Sequence, residues 1–421
     1  MANIKHKPII GLDIGSYWLK VAVLKSAGKQ FELVNFGVLP FKKKVMSEGV
    51  ITDRAAVVAG IADLLSSERI KIKEVVTAIS GPSVIVKRIT VPRMSANEMA
   101  ETISLEAEQY VPFPINEVNL DFSIVEPEPQ AKSSPPKSKA AEGAPEQMEV
   151  ILVAAKRDRV EMLGEVVREA GLTPKIIDVG LFALSNVFEQ SEEQRLAQQK
   201  SAKKPKKKKQ KKEKKKKGEQ EPQAEEAEAE TPPAAEAVEG DEEALIPAEQ
   251  KGSRVVALVN LGYEMVNVNL VKERVPVFTR DIPTGGKKIT EAIRERCHVN
   301  EDEAESLKLG APVEGVSKDL VIECIRDSLQ NIAEELRRTF EFFQGGAGGQ
   351  PIERIVLSGG CAAIQGVAQL LSEETELPVE LANPFAALKV NPKVFDEEFL
   401  QAMAPVAAVS VGLALRSAAE P

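Results

Sequence analysis

The sequence predicts an α/β fold in which two related halves face a shared cleft, and three observations support that prediction. Residues 9–25 place β-forming residues around a Gly-Ser turn, which is typical of a β-hairpin. Residues 258–272 repeat the pattern around a second glycine. A third glycine-rich turn follows the apolar strand at 352–357. In an α/β sheet, turns at the ends of strands line the ligand crevice.

The two hairpin segments align residue by residue. Asp13 of the first segment aligns with Asn260 of the second, and Gly15 aligns with Gly262. Backbone N–H groups around such turns form a concave anion site, and glycine lets a phosphate approach the backbone closely. A single glycine hairpin is more often structural. The aligned pair therefore carries the prediction that two turns hold phosphates from opposite sides.

Length and composition restrict the class of protein. The 421 residues allow two or three domains, and the hydrophobic fraction of 43% fits a soluble globular chain with some disordered sequence. We expect no signal peptide, and no apolar run reaches the roughly 18 residues that span a bilayer. Three scattered cysteines fit a reducing cytoplasm, and two histidines exclude sites that need several imidazoles.

The net charge of −9 conceals two opposite blocks. Residues 200–217 contain 13 lysines, whereas residues 219–243 contain 11 acidic residues. Residues 190–252 are therefore predicted to be a disordered, solvated insertion. The alternative is that the lysines contact anionic lipid or an acidic partner. Because the two blocks nearly cancel, the folded part of the chain keeps a modest negative charge. We therefore expect no nucleic-acid surface on it.

Residues 1–82 are predicted to form the core of a first lobe, and residues 83–172 a small inserted subdomain of split βαβ type. Apolar periodicity predicts the elements of the first lobe, namely strands at 31–39 and 74–79 and a helix at 53–67. The elements expected in the subdomain are a strand at 84–91, a helix from Ser95 with a capping box to Glu98, a strand at 120–125, a disordered loop at 126–147, a strand at 149–155 and a helix at 157–170.

The rest of the chain alternates strands and helices. Residues 173–189 are predicted to complete the first lobe, residues 253–404 to form a second lobe, and residues 405–421 to form a helix that returns to the first lobe. The elements expected after the second hairpin are a strand at 274–282, helices at 288–296, 300–309 and 319–343, a strand at 352–357, a helix at 364–375, a strand at 379–381 and a helix at 404–416.

Several side chains suit a phosphate ligand. Asp13 could hold Mg²⁺ through water, because Mg²⁺ keeps part of its hydration shell. Lys20 could neutralise phosphate charge, or it could be an ordinary solvent-facing lysine. Gly285 and Gly286 open a helix, which would present free N–H groups to an anion. There is neither a Walker nor a Rossmann glycine motif, and no nucleophile with an adjacent base.

Motifs distributed over nearly all of the ordered sequence resemble the actin-like ATPase superfamily and, within it, the FtsA-related PilM family of type IV pilus assembly proteins. The motifs that carry the resemblance are V-K-R-I-T-V-P-R-M-S (86–95), E-A-E-Q-Y-V-P-F-P-I-N-E-V-N-L-D-F (106–122), V-A-A-K-R-D (153–158), F-T-R-D-I-P-T-G-G (278–286), E-E-L-R-R-T-F-E-F-F (334–343), L-S-G-G (357–360) and P-V-E-L-A-N-P-F (378–385).

The resemblance implies a two-lobed actin-like ATPase fold with a small inserted FtsA-like subdomain, and two lobes that enclose ATP and Mg²⁺. Asp13 would hold the Mg²⁺ through water. For Glu335 and Arg338, an exposed ion pair on a helix is an equally good interpretation. The residues that match the family's nucleotide motifs are Asp13, Gly15, Ser16, Lys20, Asn260, Gly262, Gly285, Gly286, Glu335, Arg338, Ser358, Gly359 and Gly360.

The resemblance also implies a cytoplasmic scaffold at the inner membrane. Such a protein grips the cytoplasmic N-terminal segment of PilN in a groove that involves the inserted subdomain, and it links PilN to the pilus motor ATPases. One departure matters, because Asn260 stands where the family usually has Asp. An amide holds a cation or orients a water less strongly than a carboxylate does, so we predict ATP binding with slow or absent hydrolysis.

An enzyme on the same fold is the alternative, either a filament-forming ATPase or a small-molecule kinase. A kinase needs a carboxylate base in the cleft, and Asp178 is the obvious candidate, although it fits the inter-lobe connection of the family. We expect no C-terminal amphipathic membrane helix of the kind that the division protein FtsA carries, and this expectation favours the scaffold.

Overall fold

The computed structural model describes residues 8–28, 30–125, 146–202, 255–346 and 349–419. The chain divides into two compact units, residues 1–192 with 254–421 and residues 193–253. All strands described below belong to the first unit. Most of the predicted loop at 126–147 and of the predicted insertion at 190–252 lies outside the described residues.

Five strands form the first sheet. They are β1 (Ile9–Ile14), β2 (Trp18–Ala27), β3 (Gln30–Pro40), β6 (Glu74–Ile79) and β10 (Thr173–Val179). Their order is β10-β6-β1-β2-β3, with β1, β2 and β3 antiparallel and with β6 and β10 parallel to β1. The predicted first hairpin is confirmed. A short ribbon beside it, β4 (Met46–Ser47) with β5 (Val50–Ile51), was not predicted.

Five further strands form the second sheet and repeat the topology of the first. They are β11 (Val255–Leu261), β12 (Val266–Lys272), β13 (Val275–Ile282), β14 (Ile352–Ser358) and β15 (Val379–Leu381). The order is β13-β12-β11-β14-β15, again with one antiparallel meander and two parallel neighbours. The second hairpin is therefore also confirmed. We call the parts of the unit built on the first and second sheets the first and second lobes.

A three-stranded sheet lies between β6 and β10 in the sequence. It consists of β7 (Val84–Pro92), β8 (Val118–Val125) and β9 (Gln147–Lys156) in the order β7-β9-β8. Helix α2 (Ala96–Ala107) covers it, and the predicted capping box between Ser95 and Glu98 is present. Buried Met99 and Ile103 of α2 share a core with this small sheet. The elements of the split βαβ prediction are therefore largely confirmed.

One helix of that prediction packs elsewhere. Helix α3 (Arg157–Glu169) buries Leu163, Val166 and Val167 in the core of the first sheet, beside α1 (Arg54–Ser67). The prediction that α3 belongs to the inserted subdomain was therefore wrong. The apolar stripe that the sequence predicts for α3 is present, but periodicity does not indicate against which sheet such a stripe packs.

Four helices cover the second lobe. They are α5 (Gly286–Cys297), α6 (Glu301–Lys308), α7 (Lys318–Gly345) and α8 (Val367–Thr375). The predicted stripe of α7 is confirmed, since Leu329, Ile332, Leu336 and Phe340 are buried. Ile325 and Phe343 are partly buried against the same core.

Two helices pack between the sheets, namely residues 180–192 of α4 (Gly180–Ala202) and helix α9 (Glu397–Ala419). Helix α9 lies against β1 and β2, and a Cβ at Gly11 of β1 would stand 2.0 Å from the Ser410 carbonyl oxygen. The segment Glu397–Arg416 is apolar and long enough to span a bilayer, but 67% of it is buried within the protein. Here it serves as a core helix.

The start of the predicted insertion is helical. Helix α4 continues to Ala202, past position 190, where we predicted that disordered sequence begins. Residues 190–202 are mostly Gln, Glu, Arg, Leu, Ala and Lys, which are good helix formers. Low hydrophobicity argued against a packed core here, but it does not prevent a helix that has already started from continuing.

Candidate functional site

The turns of the two hairpins meet over one cavity. We call Gly15–Tyr17 the first turn, Gly262–Glu264 the second turn, and the space of about 210 Å³ beneath them the interlobe cavity. Both lobes contribute to its walls, as the aligned hairpins predicted. The predicted residues that line it are Asp13, Gly15, Ser16, Lys20, Asn260, Gly262, Gly359 and Gly360.

The first turn is closed by its backbone and by an ion pair. The Gly15 N–H donates to the Trp18 carbonyl at 2.9 Å. Asp13 and Lys20 face each other across the β1–β2 ladder, and the Lys20 ammonium lies 2.9 Å from Asp13 Oδ2. Lys20 is only 8% exposed. It is therefore not the solvent-facing hairpin lysine of the alternative interpretation, and it brings a positive charge to the cavity wall.

The second turn has the same backbone geometry with neutral side chains. The Gly262 N–H donates to the Met265 carbonyl at 3.0 Å. Asn260 and Asn267 occupy the ladder positions that Asp13 and Lys20 occupy in the first hairpin. The Asn260 amide donates to Asn267 Oδ1 at 3.0 Å. The sequence alignment of the two hairpins is therefore also a structural one.

The glycine pair that opens α5 supports the second turn. The Gly286 N–H donates to the Gly262 carbonyl at 3.0 Å, and the Lys287 N–H donates to the Tyr263 carbonyl at 2.7 Å. The prediction of free N–H groups at this helix start was therefore wrong. Gly285 is required by space, since a Cβ there would stand 2.6 Å from the Gly262 oxygen. Neither glycine lines the interlobe cavity.

The turn after β14 reaches the cavity with Gly359 and Gly360, and Cys361 directly after it also lines the wall. Gly359 has φ +103°, and its N–H donates to the carbonyl of Pro405 in α9 at 2.9 Å. The Ser358 hydroxyl is buried and donates to the Val259 carbonyl at 3.2 Å. Ser358 therefore holds the turn on β11, while Gly359 and Gly360 form the wall.

The structure does not bring Glu335 and Arg338 to the cavity. Both lie on α7, and the Arg338 guanidinium donates to Glu335 Oε1 at 2.6 Å and to Glu334 Oε2 at 3.4 Å. Arg338 is exposed, and neither residue lines the cavity. The structure contains the exposed ion pair that we considered beside the motif interpretation.

Two charged residues of α6 line the cavity and were not predicted. Lys308 is only 4% exposed, and its ammonium lies 2.6 Å from Glu305 Oε1 and 2.9 Å from the Thr290 hydroxyl. The Thr290 hydroxyl also donates to Glu305. A sequence signal existed, because Lys308 follows the buried Ala304 by one helical turn and so lies on the apolar face of α6.

A tyrosine pair joins the tips of the two turns. The rings of Tyr17 and Tyr263 meet edge to face with centroids 4.6 Å apart. Both hydroxyls donate to Glu301 Oε1, at 2.6 Å and 3.2 Å respectively. Burial is the main cause that raises the pKa of both tyrosines, so both stay protonated donors. The Tyr17 hydroxyl holds the pKa of Glu301 below its usual value.

Glu264 links the second turn to the first lobe. Its carboxylate lies 2.9 Å from the Lys44 ammonium and accepts from the Glu48 N–H at 2.6 Å. The Ser47 hydroxyl lies 3.4 Å from the same side chain. Each turn thus reaches the opposite lobe, the first through Tyr17 and the second through Glu264. These contacts join the lobes beside the interlobe cavity, which Tyr17, Tyr263 and Glu264 also line.

Asp178, the candidate base of a kinase, lies outside the cavity wall. Burial raises its pKa, and Arg416 of α9 opposes that rise from 3.3 Å away. The carboxylate therefore joins the start of α4 to the end of α9. It belongs to the connection between the lobes, as the resemblance implied.

The cavity fits a nucleotide and a hydrated Mg²⁺ by the character of its wall. Gly15, Gly262 and Gly359 leave bare backbone facing it, and a Cβ at Gly15 would stand 3.0 Å from Lys20 Nζ. Lys20 and Lys308 supply positive charge for phosphate oxygens. Asp13 supplies the hard oxygen that Mg²⁺ prefers.

A family model described as Type IV pilus assembly protein PilM matches residues 11–204 and 234–418. A solved structure of a PilM-PilN type IV pilus biogenesis complex is 29% identical, with 98% of this chain and 99% of that chain covered and a TM-score of 0.73.

Two more distant structures also match over most of the chain. The ethanolamine utilization protein EutJ from Carboxydothermus hydrogenoformans is 13% identical, with 97% of this chain and 89% of that chain covered and a TM-score of 0.49. MreB5 of Spiroplasma citri bound to ADP is 11% identical, with 94% and 98% covered and a TM-score of 0.40.

Proposed function

Because the chain belongs to the PilM family of type IV pilus assembly proteins, we propose that it is an ATP-binding scaffold of the pilus assembly complex. The observation that carries this proposal is the match over 98% of the chain to the PilM-PilN complex. The actin-like, two-lobed α/β fold suits the role, because a ligand bound between two lobes can shift their relative position. A partner that binds one arrangement of the lobes better than another then responds to the ligand.

ATP is the proposed ligand of the interlobe cavity. The backbone of the first and second turns would hold the phosphates, with Lys20 nearby as the neutralising charge. Gly359 and Gly360 would leave room for the flat adenosine, and Glu305 with Lys308 would face the sugar side of the cavity. When bound, Mg²⁺ would neutralise phosphate charge, with Asp13 holding it through water.

We expect slow or absent hydrolysis. Four carboxylate residues line the cavity, and three of them, Asp13, Glu264 and Glu305, are paired with lysines. Asn260 is an amide where the first hairpin has Asp13, so it adds no carboxylate to the wall. Phosphate release from Mg-ATP should therefore stay below about 1 s⁻¹, the low end of ordinary enzyme turnover. Nucleotide retained after purification, together with phosphate release, measures this, and faster turnover would reject the structural-ligand role.

The proposed partner is the cytoplasmic N-terminal segment of PilN, held in a groove that involves the small sheet β7-β9-β8. In that position the protein would lie on the cytoplasmic side of the inner membrane without spanning it. It would connect PilN to the pilus motor ATPases. Strand β8 is an edge of the small sheet, and an edge strand offers backbone groups to an extended peptide.

A titration of the full chain with a labelled PilN N-terminal peptide tests the scaffold. We expect saturable binding, no binding of a scrambled peptide of the same composition, and photo-crosslinks that map to residues 84–156. Repeating the titration with Mg-ATP shows whether the nucleotide changes the affinity. A chain that fails to bind the peptide in either condition would contradict the proposal, as would phosphorylation of a small metabolite by the purified protein.

A further inference from the structure

We propose that Asp281 is a positioning residue for the interlobe cavity, acting on Asn260 through Asn267. Its role is to turn the Asn260 side chain so that its oxygen, and not its NH₂ group, is offered to the hydrated cation. The inference rests on the proposed nucleotide function and specifies which atom the second turn contributes. It also explains how an asparagine can serve at the ladder position where the first hairpin has Asp13.

Three side chains on adjacent strands form a relay. Asn260 of β11 faces Asn267 of β12, and Asn267 in turn faces Asp281 of β13 in the registers of the two ladders. The Asn260 Nδ2 atom lies 3.0 Å from Asn267 Oδ1, and Asn267 Nδ2 lies 2.7 Å from Asp281 Oδ1. Only Asn260 and Asn267 line the interlobe cavity, so Asp281 acts from behind them.

The carboxylate of Asp281 determines which way the side-chain amides of Asn267 and Asn260 are turned. A carboxylate only accepts hydrogen bonds, so Asn267 must turn its NH₂ group toward Asp281. Its oxygen then faces Asn260, which must turn its own NH₂ group toward Asn267. The remaining group of Asn260 is its oxygen. Both amide orientations therefore follow from the inability of a carboxylate to donate a hydrogen bond.

The Asn260 oxygen lies at the cavity wall. It is 2.7 Å from the place where a Cβ at Gly359 would stand, and Gly359 itself lines the cavity. The glycine therefore leaves this oxygen uncovered. An uncovered amide oxygen can accept a hydrogen bond from a water molecule of the Mg²⁺ hydration shell. Protein sites commonly bind Mg²⁺ through such retained waters.

The two lobes place their carboxylates differently. In the first hairpin the carboxylate of Asp13 stands at the cavity and its partner Lys20 is on the next strand. In the second hairpin the cavity position is neutral, and the nearest carboxylate in the relay, Asp281, is two strands away. Burial raises the pKa of Asp281, and the hydrogen bond from Asn267 opposes that rise. The ladder position of Asn260 thus supplies an oriented oxygen without a negative charge of its own.

Asp281→Asn tests the relay without changing side-chain size. An amide at position 281 can either donate or accept, so Asn267 and Asn260 lose their imposed direction. Loss of a partner behind a metal-site residue typically lowers affinity by about tenfold to 100-fold. We expect Mg²⁺-dependent ATP affinity to fall by about tenfold. ATP affinity measured in EDTA should stay unchanged, because the phosphate contacts of the backbone are untouched.

Two variants make the measurement specific. Asp63→Asn removes the same charge from an exposed position of α1 and should leave both affinities unchanged. Asn260→Asp combined with Asp281→Asn places a carboxylate at position 260. Both oxygens of a carboxylate accept hydrogen bonds, so this side chain does not need to be oriented by position 281, and the Mg²⁺-dependent ATP affinity should return. A merely structural role of Asp281 predicts instead that the double variant is as weak as Asp281→Asn.

The ligand-free protein gives an independent readout. With asparagine side chains labelled by ¹⁵N, the NH₂ signals of Asn260 and Asn267 should be single and protected from exchange, and in Asp281→Asn both should shift or split. Unchanged signals together with unchanged Mg²⁺-dependent affinity would overturn the relay. If the wild-type chain binds no ATP at all, the proposed function fails, while these signals still decide whether Asp281 orients the two amides.

Discussion

Gly359→Ala is expected to destabilise the protein by about 3 kcal/mol, because the new methyl group has neither the backbone conformation nor the space that it needs. Gly359 has φ +103° and ψ 169°, a region that is essentially restricted to glycine. A Cβ there would stand 2.5 Å from the Leu261 carbonyl oxygen and 2.7 Å from Asn260 Oδ1. Urea unfolding of the ligand-free chain measures the loss.

Gly360→Ala is the matched control for that change. A Cβ at Gly360 would meet no atom within 4 Å, so the free energy of unfolding should change by less than about 0.5 kcal/mol. ATP binding should nevertheless weaken, because the methyl group adds bulk to a residue of the cavity wall. Equal stability losses in the two variants would contradict the account of this turn, and so would a stable Gly359→Ala.

The sequence predicted the fold well because the decisive signals were local. Each hairpin is encoded by β-forming residues around one glycine, and the two copies could be aligned without a structure. The observed ladders pair Asp13 with Lys20 and Asn260 with Asn267, as that alignment requires. The family membership and the matching sheet orders confirm the fold class that the resemblance implied.

The errors concern which surface an element meets. The glycine pair at the start of α5 has the composition of an anion site, yet its N–H groups donate to the second turn. Glu335 lies on a helix as predicted, and there it accepts a hydrogen bond from Arg338 outside the lining of the cavity. Helix α3 has a clear apolar stripe, yet that stripe packs on the first sheet. A motif fixes residue types and spacing, whereas these outcomes depend on tertiary packing.

The residues that were missed share the same cause. Glu305 and Lys308 are four and seven residues beyond Glu301, the first residue of α6, in a short helix whose charged composition suggests a solvated surface. Tertiary structure buries that helix against Thr290 and the second turn instead. Similarly, the contact between Asp281 and Asn267 could not be predicted, because it depends on the pairing of β13 with β12. Periodicity indicates a face, but it does not indicate which polar groups that face will meet.

The second large effect is expected at Lys308, where removal of the ammonium leaves a carboxylate beside an apolar core. Lys308→Met keeps a long side chain but deprives Glu305 of its charge partner at 2.6 Å. Breaking one side of a buried ion pair typically costs about 3–5 kcal/mol, so we expect a loss near 3 kcal/mol because Glu305 keeps the Thr290 hydroxyl. Lys393→Met, at an exposed position, should change stability by less than about 0.5 kcal/mol.

The double variant Lys308→Met with Glu305→Gln separates the pair from its packing. It leaves no unpaired charge, and replacing both members of a buried pair is often neutral for stability. We therefore expect most of the loss to be recovered, while ATP affinity stays low because the positive charge at the cavity wall is gone. Urea unfolding and an ATP titration on the same preparations measure both quantities. A double variant that is less stable than Lys308→Met would contradict the pairing, because it would mean that Glu305 stabilises α6 independently of Lys308.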